Sequence, residues 1–359
     1  MALDKKKAAA VGQFVQFAYD MFDLGGLQPP PVKGIADAGY RLVYYLNAID
    51  SLHQDNVDQK RFYGFIAVSE SNPGDVVLAI RGTRGFQEWL LDFIALPVSF
   101  EPAPKKGFVA LGFLAIFSKF EFIDLAGNVS TLSETIQKLH AANPIKTLTI
   151  TGHSLGAALA TLTAAELAFL NTGGLKKQLA LYTFGSPRVG LADFAINFNK
   201  ALKACVRIWN ILDVVPQVAP FPYIHVSGFG ERLLQTEEQL QKLQVNPVCE
   251  HIMPDYLWLL DPDKFPIAEK CTHADSRQMA ALAGMEPQVA PGARALRRAM
   301  LASEPAHGLE QPVGPLMMNK LVVKKVAVKK VAAKKVSSKK AALKKKVTAK
   351  KRKNRRTGR

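Results

Sequence analysis

The run Lys146–Thr151, rich in strand-forming residues, leads without a break into Gly152-His153-Ser154-Leu155-Gly156, and an Ala- and Leu-rich run follows from Ala157 to Phe169. Strand, tight turn and helix in that order leave few architectures open. A serine at the middle of G-x-S-x-G must sit in a strained turn that lifts its hydroxyl above a sheet edge, and the flanking glycines relieve the crowding. Gly173-Gly174 close the helix.

The surrounding pattern agrees with an α/β fold. Asp75–Ile80 is a continuous apolar run opened by Pro73-Gly74, as expected of a strand buried on both faces. After the serine come a strand over Leu179–Phe184, a helix over Ala192–Leu202 and a strand over Val206–Leu212, an alternation that implies right-handed crossovers and a mostly parallel central sheet flanked by helices. Upstream, the N-terminus reads as an amphipathic helix. Arg41–Ile49 and Arg61–Ser69 read as neighbouring strands at one sheet edge, and Leu114–His140 as mostly helical, ended by Pro144.

A serine hydroxyl needs a base to take its proton, and the base needs a carboxylate to hold its tautomer. Asp213 follows the run Val206–Leu212 and so falls at the carboxyl end of a parallel strand, where sites of open α/β sheets collect. A turn-forming role would also suit Asp213-Val214-Val215-Pro216. The chain order Ser, Asp, His leaves His225, His251, His273 and His307 as bases. His307 falls in a linker-like stretch, and His225 lies in a β-like segment that suits a packed, hydrogen-bonded histidine. His251, on a loop before the apolar stretch Tyr256–Leu260, is preferred, with His273 in reserve. Oxyanion donors are expected from the backbone N–H of Leu155 and from Thr83, which leaves the buried run Val76–Ile80 through Arg81-Gly82.

The words IRGTRGFQEWLLDF, LPVSF, Gly112-Phe113, TGHSLGAALA, TFGSPRVG and NILDVVP, in that order, resemble the lipase class 3 (fungal-type lipase) family over roughly residues 40–260. The resemblance implies an α/β-hydrolase fold, a triad of Ser154, Asp213 and His251, an oxyanion hole from Thr83 and Leu155, and cleavage of acylglycerol or related lipid esters. It also implies a mobile lid after the oxyanion residue. Phe86, Trp89, Leu90 and Phe93 fall at i, i+3, i+4 and i+7 there and form one apolar face, although a core helix would show the same spacing. Leu111 stands where many relatives carry His, and the disulfides of secreted fungal members have no evident counterpart. An acyltransferase or amidase would use the same residues, and none of these reactions needs a metal or organic cofactor.

Charge divides the chain. Its 47 Lys and Arg exceed its 30 Asp and Glu by 17, yet residues 320–359 hold 19 of the basic residues and no acidic one, leaving 28 against 30 elsewhere. From Lys324 a five-residue repeat (KKVAV, KKVAA, KKVSS, KKAAL) rotates each Lys pair around any helix, so no apolar face forms. We expect a catalytic domain over 1–284, a Pro/Gly/Ala-rich linker over 285–319 and a disordered basic tail over 320–359 that could contact nucleic acid, polyphosphate or an anionic membrane surface. The tail lacks the aromatic residues that stack bases. Three cysteines, Cys205, Cys249 and Cys271, argue against a disulfide framework. No secretory apolar core and no run of about 18 apolar residues is evident, so a cytoplasmic location is expected.

Overall fold

The computed structural model describes residues 3–49, 59–83, 95–210, 212–227, 231–233 and 249–266. The expected lid residues Phe86, Trp89, Leu90 and Phe93, the reserve base His273, the linker and the basic tail lie outside them.

The first helix, α1 (Lys5–Leu24), starts where the Asp4 side chain accepts a hydrogen bond from Lys7 N at 3.0 Å and ends at Gly25, whose φ of 84° a side chain would disfavour. A short helix, α2 (Lys33–Asp37), leads into the strands β1 (Tyr40–Ile49), β2 (Lys60–Ser69) and β3 (Asp75–Ile80). Next come β4 (Pro97–Ser99) and β5 (Phe108–Ala110), which pair as a separate ribbon, then α3 (Leu111–Phe117), β6 (Glu121–Asp124), β7 (Val129–Ser130) and α4 (Leu132–Ala142). The last segment alternates: β8 (Thr147–His153), α5 (Leu155–Leu170), β9 (Leu179–Phe184), α6 (Ala192–Ala201), β10 (Cys205–Asn210), β11 (Glu231–Leu233) and α7 (Met253–Leu260).

The main sheet runs β11-β10-β9-β8-β3-β2-β1-β6-β7 among the described residues. From β3 through β8, β9 and β10 to β11 every pairing is parallel, and from β3 the other way every pairing is antiparallel. The alternation read from the sequence corresponds to the parallel half. Two upstream readings need correction. β1 and β2 do pair, but β6 and β7 continue the sheet beyond β1, so the pair is not at an edge. The stretch from Leu114 to His140 is not mostly helical: α3 ends at Phe117, and the two added strands come before α4. Thr131 caps α4, and its reciprocal hydrogen bonds with Glu134 satisfy two amides.

Successive residues of β3 face opposite sides of the sheet, so Val76, Leu78 and Ile80 enter one core and Val77 and Ala79 another. The first core is filled by α3, α4, α5 and α6. On the other face α1 presents Phe14, Phe17, Ala18 and Met21 to the middle of the sheet, and Ala8, Val15 and Tyr19 to Phe184, Ile208 and α7. Helices therefore cover both faces, and α5 is buried on every side from Leu155 to Ala165. Among the described residues no helix is long and apolar enough to cross a membrane.

The close approach of α5 to the sheet depends on Gly156. A Cβ there would lie 2.3 Å from Ile80 O and 2.5 Å from Arg81 O, both fixed backbone atoms. Gly156→Ala is therefore expected to lower the unfolding free energy by about 3 kcal/mol, since the helix and β3 must part to admit a methyl group. A urea titration checks this; a loss below about 0.5 kcal/mol, the level of an ordinary surface change, contradicts it.

Candidate active site

Ser154 lies in the turn between β8, which ends at His153, and α5, which starts at Leu155. Its φ of 58° and ψ of −127° lie in a region that residues with a Cβ rarely occupy, and the turn is over-determined around it. Ser154 N donates to Phe184 O at 3.0 Å, and Ala157 N donates to Ser154 O at 2.9 Å. A Cβ on Gly152 would lie 2.2 Å from Gly156 O, so the strand and the helix that leave the turn touch through bare backbone.

The structure brings Ser154, His251 and Asp213 into one hydrogen-bonded row. His251 Nε2 is 2.7 Å from Ser154 Oγ, and His251 Nδ1 is 2.8 Å from Asp213 Oδ2. A carboxylate can only accept, so Nδ1 carries the hydrogen and Nε2 is left to accept the serine hydroxyl. All three side chains are buried. His251 closes a single 3-10 turn, Cys249–His251, immediately before α7, rather than a free loop. Asp213 lies just past β10, and its N–H donates back to Asn210 O at 3.1 Å.

Asp213 is held by three donors. Besides His251, Tyr256 Oη donates to Oδ2 at 2.7 Å and Val215 N donates to Oδ1 at 2.9 Å. Tyr256 Oη in turn accepts from Asn210 N at 3.1 Å. Burial first, and then the Asp213 charge, push the Tyr256 phenol well above its usual range, so it stays a donor. Behind it, Asn210 Nδ2 reaches Glu250 Oε2 at 2.6 Å and Asp255 Oδ2 at 3.3 Å. Burial, reinforced by the Glu250 and Asp213 charges, raises the Asp255 carboxyl well above the ordinary carboxylate range.

Of the two expected oxyanion donors, Leu155 opens α5, so its amide is one of those with no acceptor inside the helix. Thr83 is half-buried and follows Gly82, which packs against the serine: a Cβ on Gly82 would lie 2.9 Å from Ser154 Cβ. His225, set aside as a base, is indeed packed elsewhere. Its Nε2 donates to Pro216 O at 2.8 Å, and burial first, then Arg207, lowers its pKa to about 3.

Several residues at the site were not singled out from sequence. Tyr256 and Asn210 carried a weak signal, lying within a few residues of His251 and Asp213. Tyr19 and His153 carried none that spacing could reveal: Tyr19 Oη lies 2.8 Å from His153 Nδ1 although the two are 134 residues apart. Gly185, at a φ of 56°, was also passed over. A Cβ there would lie 2.8 Å from Asp213 Oδ2 and 3.3 Å from His251 Cε1.

A serine in a left-handed strand-to-helix turn, on a central sheet covered by helices on both faces, defines the α/β-hydrolase fold class. Residues 77–223 match the family model Lipase (class 3), a segment that contains Ser154 and Asp213. It is 26% identical over 261 residues to phospholipase A1-Igamma3, chloroplastic, of Arabidopsis thaliana, covering 60% of this chain and 49% of that protein. It is 32% identical over 226 residues to phospholipase A1-II 1 of Oryza sativa subsp. indica, covering 55% of this chain and 54% of that protein. The chain thus spans about half the length of the curated relatives it matches. Among solved structures, the Rhizomucor miehei lipase in its propeptide complex superposes with a TM-score of 0.50 at 24% identity, covering 65% of this chain and 69% of that one, a likeness of fold.

The buried histidines give stability a pH dependence of definite sign. His225 stays neutral in the folded protein down to about pH 3, whereas in the unfolded chain it protonates near its ordinary value of 6.5. The unfolded state therefore binds the extra proton between those values, and stability falls as pH falls from 6.5, by up to about 1.4 kcal/mol per pH unit. His153, lowered well below 6.5 chiefly by burial, acts in the same direction. Urea midpoints measured from pH 7 to pH 4.5 should drop more steeply for the native protein than for His225→Gln. Parallel curves would show that His225 is not the group responsible.

Proposed function

We propose that this protein is a serine hydrolase of carboxylic esters, acting on lipid esters of the phospholipid or acylglycerol type. The reading is carried by the row Ser154 Oγ, His251 Nε2, His251 Nδ1, Asp213 Oδ2, with separations of 2.7 and 2.8 Å. In the proposed reaction Ser154 Oγ attacks the acyl carbon while its proton passes to His251 Nε2. Asp213 stabilises the imidazolium that results, and the amide of Leu155 together with Thr83 receives the oxyanion. His251 then returns the proton to the leaving alcohol oxygen as the C–O bond breaks. Water repeats the sequence on the acyl-enzyme, releasing the fatty acid and restoring Ser154.

The lipid class is supported by the family match and by the phospholipase A1 names of the plant relatives. The expected lid face of Phe86, Trp89, Leu90 and Phe93 belongs to the same proposal, as does the choice of water over another acyl acceptor. A cytoplasmic location rests on the cysteine usage, with Cys205 a free thiol that burial pushes up to about 11. The chloroplastic location in the Arabidopsis relative's name is that protein's own.

Purified protein should hydrolyse para-nitrophenyl esters and phospholipid or acylglycerol emulsions, and a fluorophosphonate probe should label it once. Ser154→Ala should abolish labelling, and Ser154→Ala and His251→Ala should each reduce kcat by at least about 10^4-fold. Asp213→Asn should lose about 10^4-fold through the wrong imidazole tautomer. Labelling that survives in Ser154→Ala would refute the nucleophile.

A second, separable activity is proposed for residues 320–359, on the strength of 19 basic residues with no acidic one. The tail should bind polyanions with little sequence preference, weakening steeply between about 50 and 200 mM salt. A chain truncated near Gly314 that binds DNA, polyphosphate and anionic vesicles as well as the full chain would dispose of this role.

A further inference from the structure

Tyr19 sits on α1, well before the segment that matches the family model, yet its hydroxyl joins two parts of the site. Gly82 N donates to Tyr19 Oη at 2.8 Å, and Tyr19 Oη lies 2.8 Å from His153 Nδ1. The other nitrogen of that ring, His153 Nε2, is 2.6 Å from the carbonyl oxygen of His251.

The direction of each bond follows from the chemistry of the groups. A carbonyl oxygen only accepts, so His153 Nε2 carries the hydrogen. Burial keeps the ring neutral, which leaves the lone pair on Nδ1, and Tyr19 donates to it. The phenol oxygen then accepts from Gly82. A continuous path results: Gly82 N–H to Tyr19, Tyr19 O–H to His153 Nδ1, and His153 Nε2–H to His251 O. The two imidazoles also pack against each other, their ring centroids 4.7 Å apart and their planes tilted by 34°.

One end of this path adjoins Thr83 and the other is the backbone of His251. The Gly82 carbonyl is held as well, by Arg81 Nη1 at 2.7 Å, and because the peptide is planar that bond also sets the direction of the Thr83 N–H. We propose that Tyr19 is a positioning residue whose hydroxyl, acting through neutral His153, holds the oxyanion segment and the general base in one frame around Ser154. This rests on the hydrolase reading above. Without the hydroxyl the His251 carbonyl still keeps the hydrogen on His153 Nε2, but His153 Nδ1 loses its donor and the Gly82 N–H its acceptor, so the two ends of the path are no longer tied together.

Tyr19→Phe removes the oxygen and keeps the ring. Its kcat on a para-nitrophenyl ester should fall about tenfold or more, with KM within about twofold, because geometry at the reacting atoms is lost and binding is not. In 15N spectra of histidine-labelled protein, His153 should show the Nε2–H tautomer in both proteins, with the Nδ1 resonance shifted in Tyr19→Phe because it loses its hydrogen bond. The His153 pair supplies the control should Tyr19→Phe fail to fold. Gln can accept from Tyr19 and donate to His251 O, so His153→Gln should retain activity within about threefold, while His153→Leu should fall like Tyr19→Phe. The proposal is overturned if Tyr19→Phe keeps kcat within twofold, if its His153 spectrum is unchanged, or if the Gln and Leu variants are equally active. A native protein that takes no probe and cleaves no ester defeats the hydrolase reading instead, and the histidine spectra then judge the Tyr19 frame alone.

Discussion

The backbone conformation of Ser154 is the constraint on which the rest of the structure depends. A φ of 58° in a residue that carries a Cβ costs about 1–3 kcal/mol, and it persists only where the surroundings leave no alternative. Here the surroundings are backbone. Gly152 meets Gly156, and Gly156 meets the carbonyls of Ile80 and Arg81, so β8, α5 and β3 converge without side chains between them. The buried sides of α5 supply the compensation, since each large apolar side chain withdrawn from water contributes about 1.5–3 kcal/mol. That same convergence sets Gly82 beside the serine and Leu155 at the start of the helix.

Electrostatics behind the serine follow from crowding several acids into a dry space. Three donors converge on the Asp213 carboxylate, while Asp255, without comparable donors and near two other carboxylates, is pushed toward its neutral form. One negative charge placed in line with His251 favours an imidazolium; several would make the region too costly to bury. Tyr256 and Asn210 keep the acids apart in role, the first serving Asp213 and the second bridging Glu250 and Asp255.

The parallel half of the fold was legible because its strands are continuous apolar runs with helices between them, and because a glycine-flanked serine at a strand end has few other uses. Asp213 and His251 could be named by chain order and by position after a strand or before an apolar helix, and the structure sets His251 against Ser154 and Asp213 against His251. The antiparallel half was harder. β6 has four residues and β7 two, too few for a two-residue alternation to stand out. Tyr19 and His153 escaped notice for a different reason. Their partners are set by how α1 crosses the sheet, a tertiary fact with no local signature.

The groups around Ser154 come from both ends of the described chain, with Tyr19 in the first helix and Tyr256 in the last. During synthesis the hydroxyl therefore emerges roughly a hundred residues before the imidazole that would abstract its proton. A chain that stops short of His251 holds the hydroxyl without the nitrogen that lies 2.7 Å from it in the full chain. Under the hydrolase reading, the site is complete only once the turn that carries His251 is in place, so products lacking it would hydrolyse nothing.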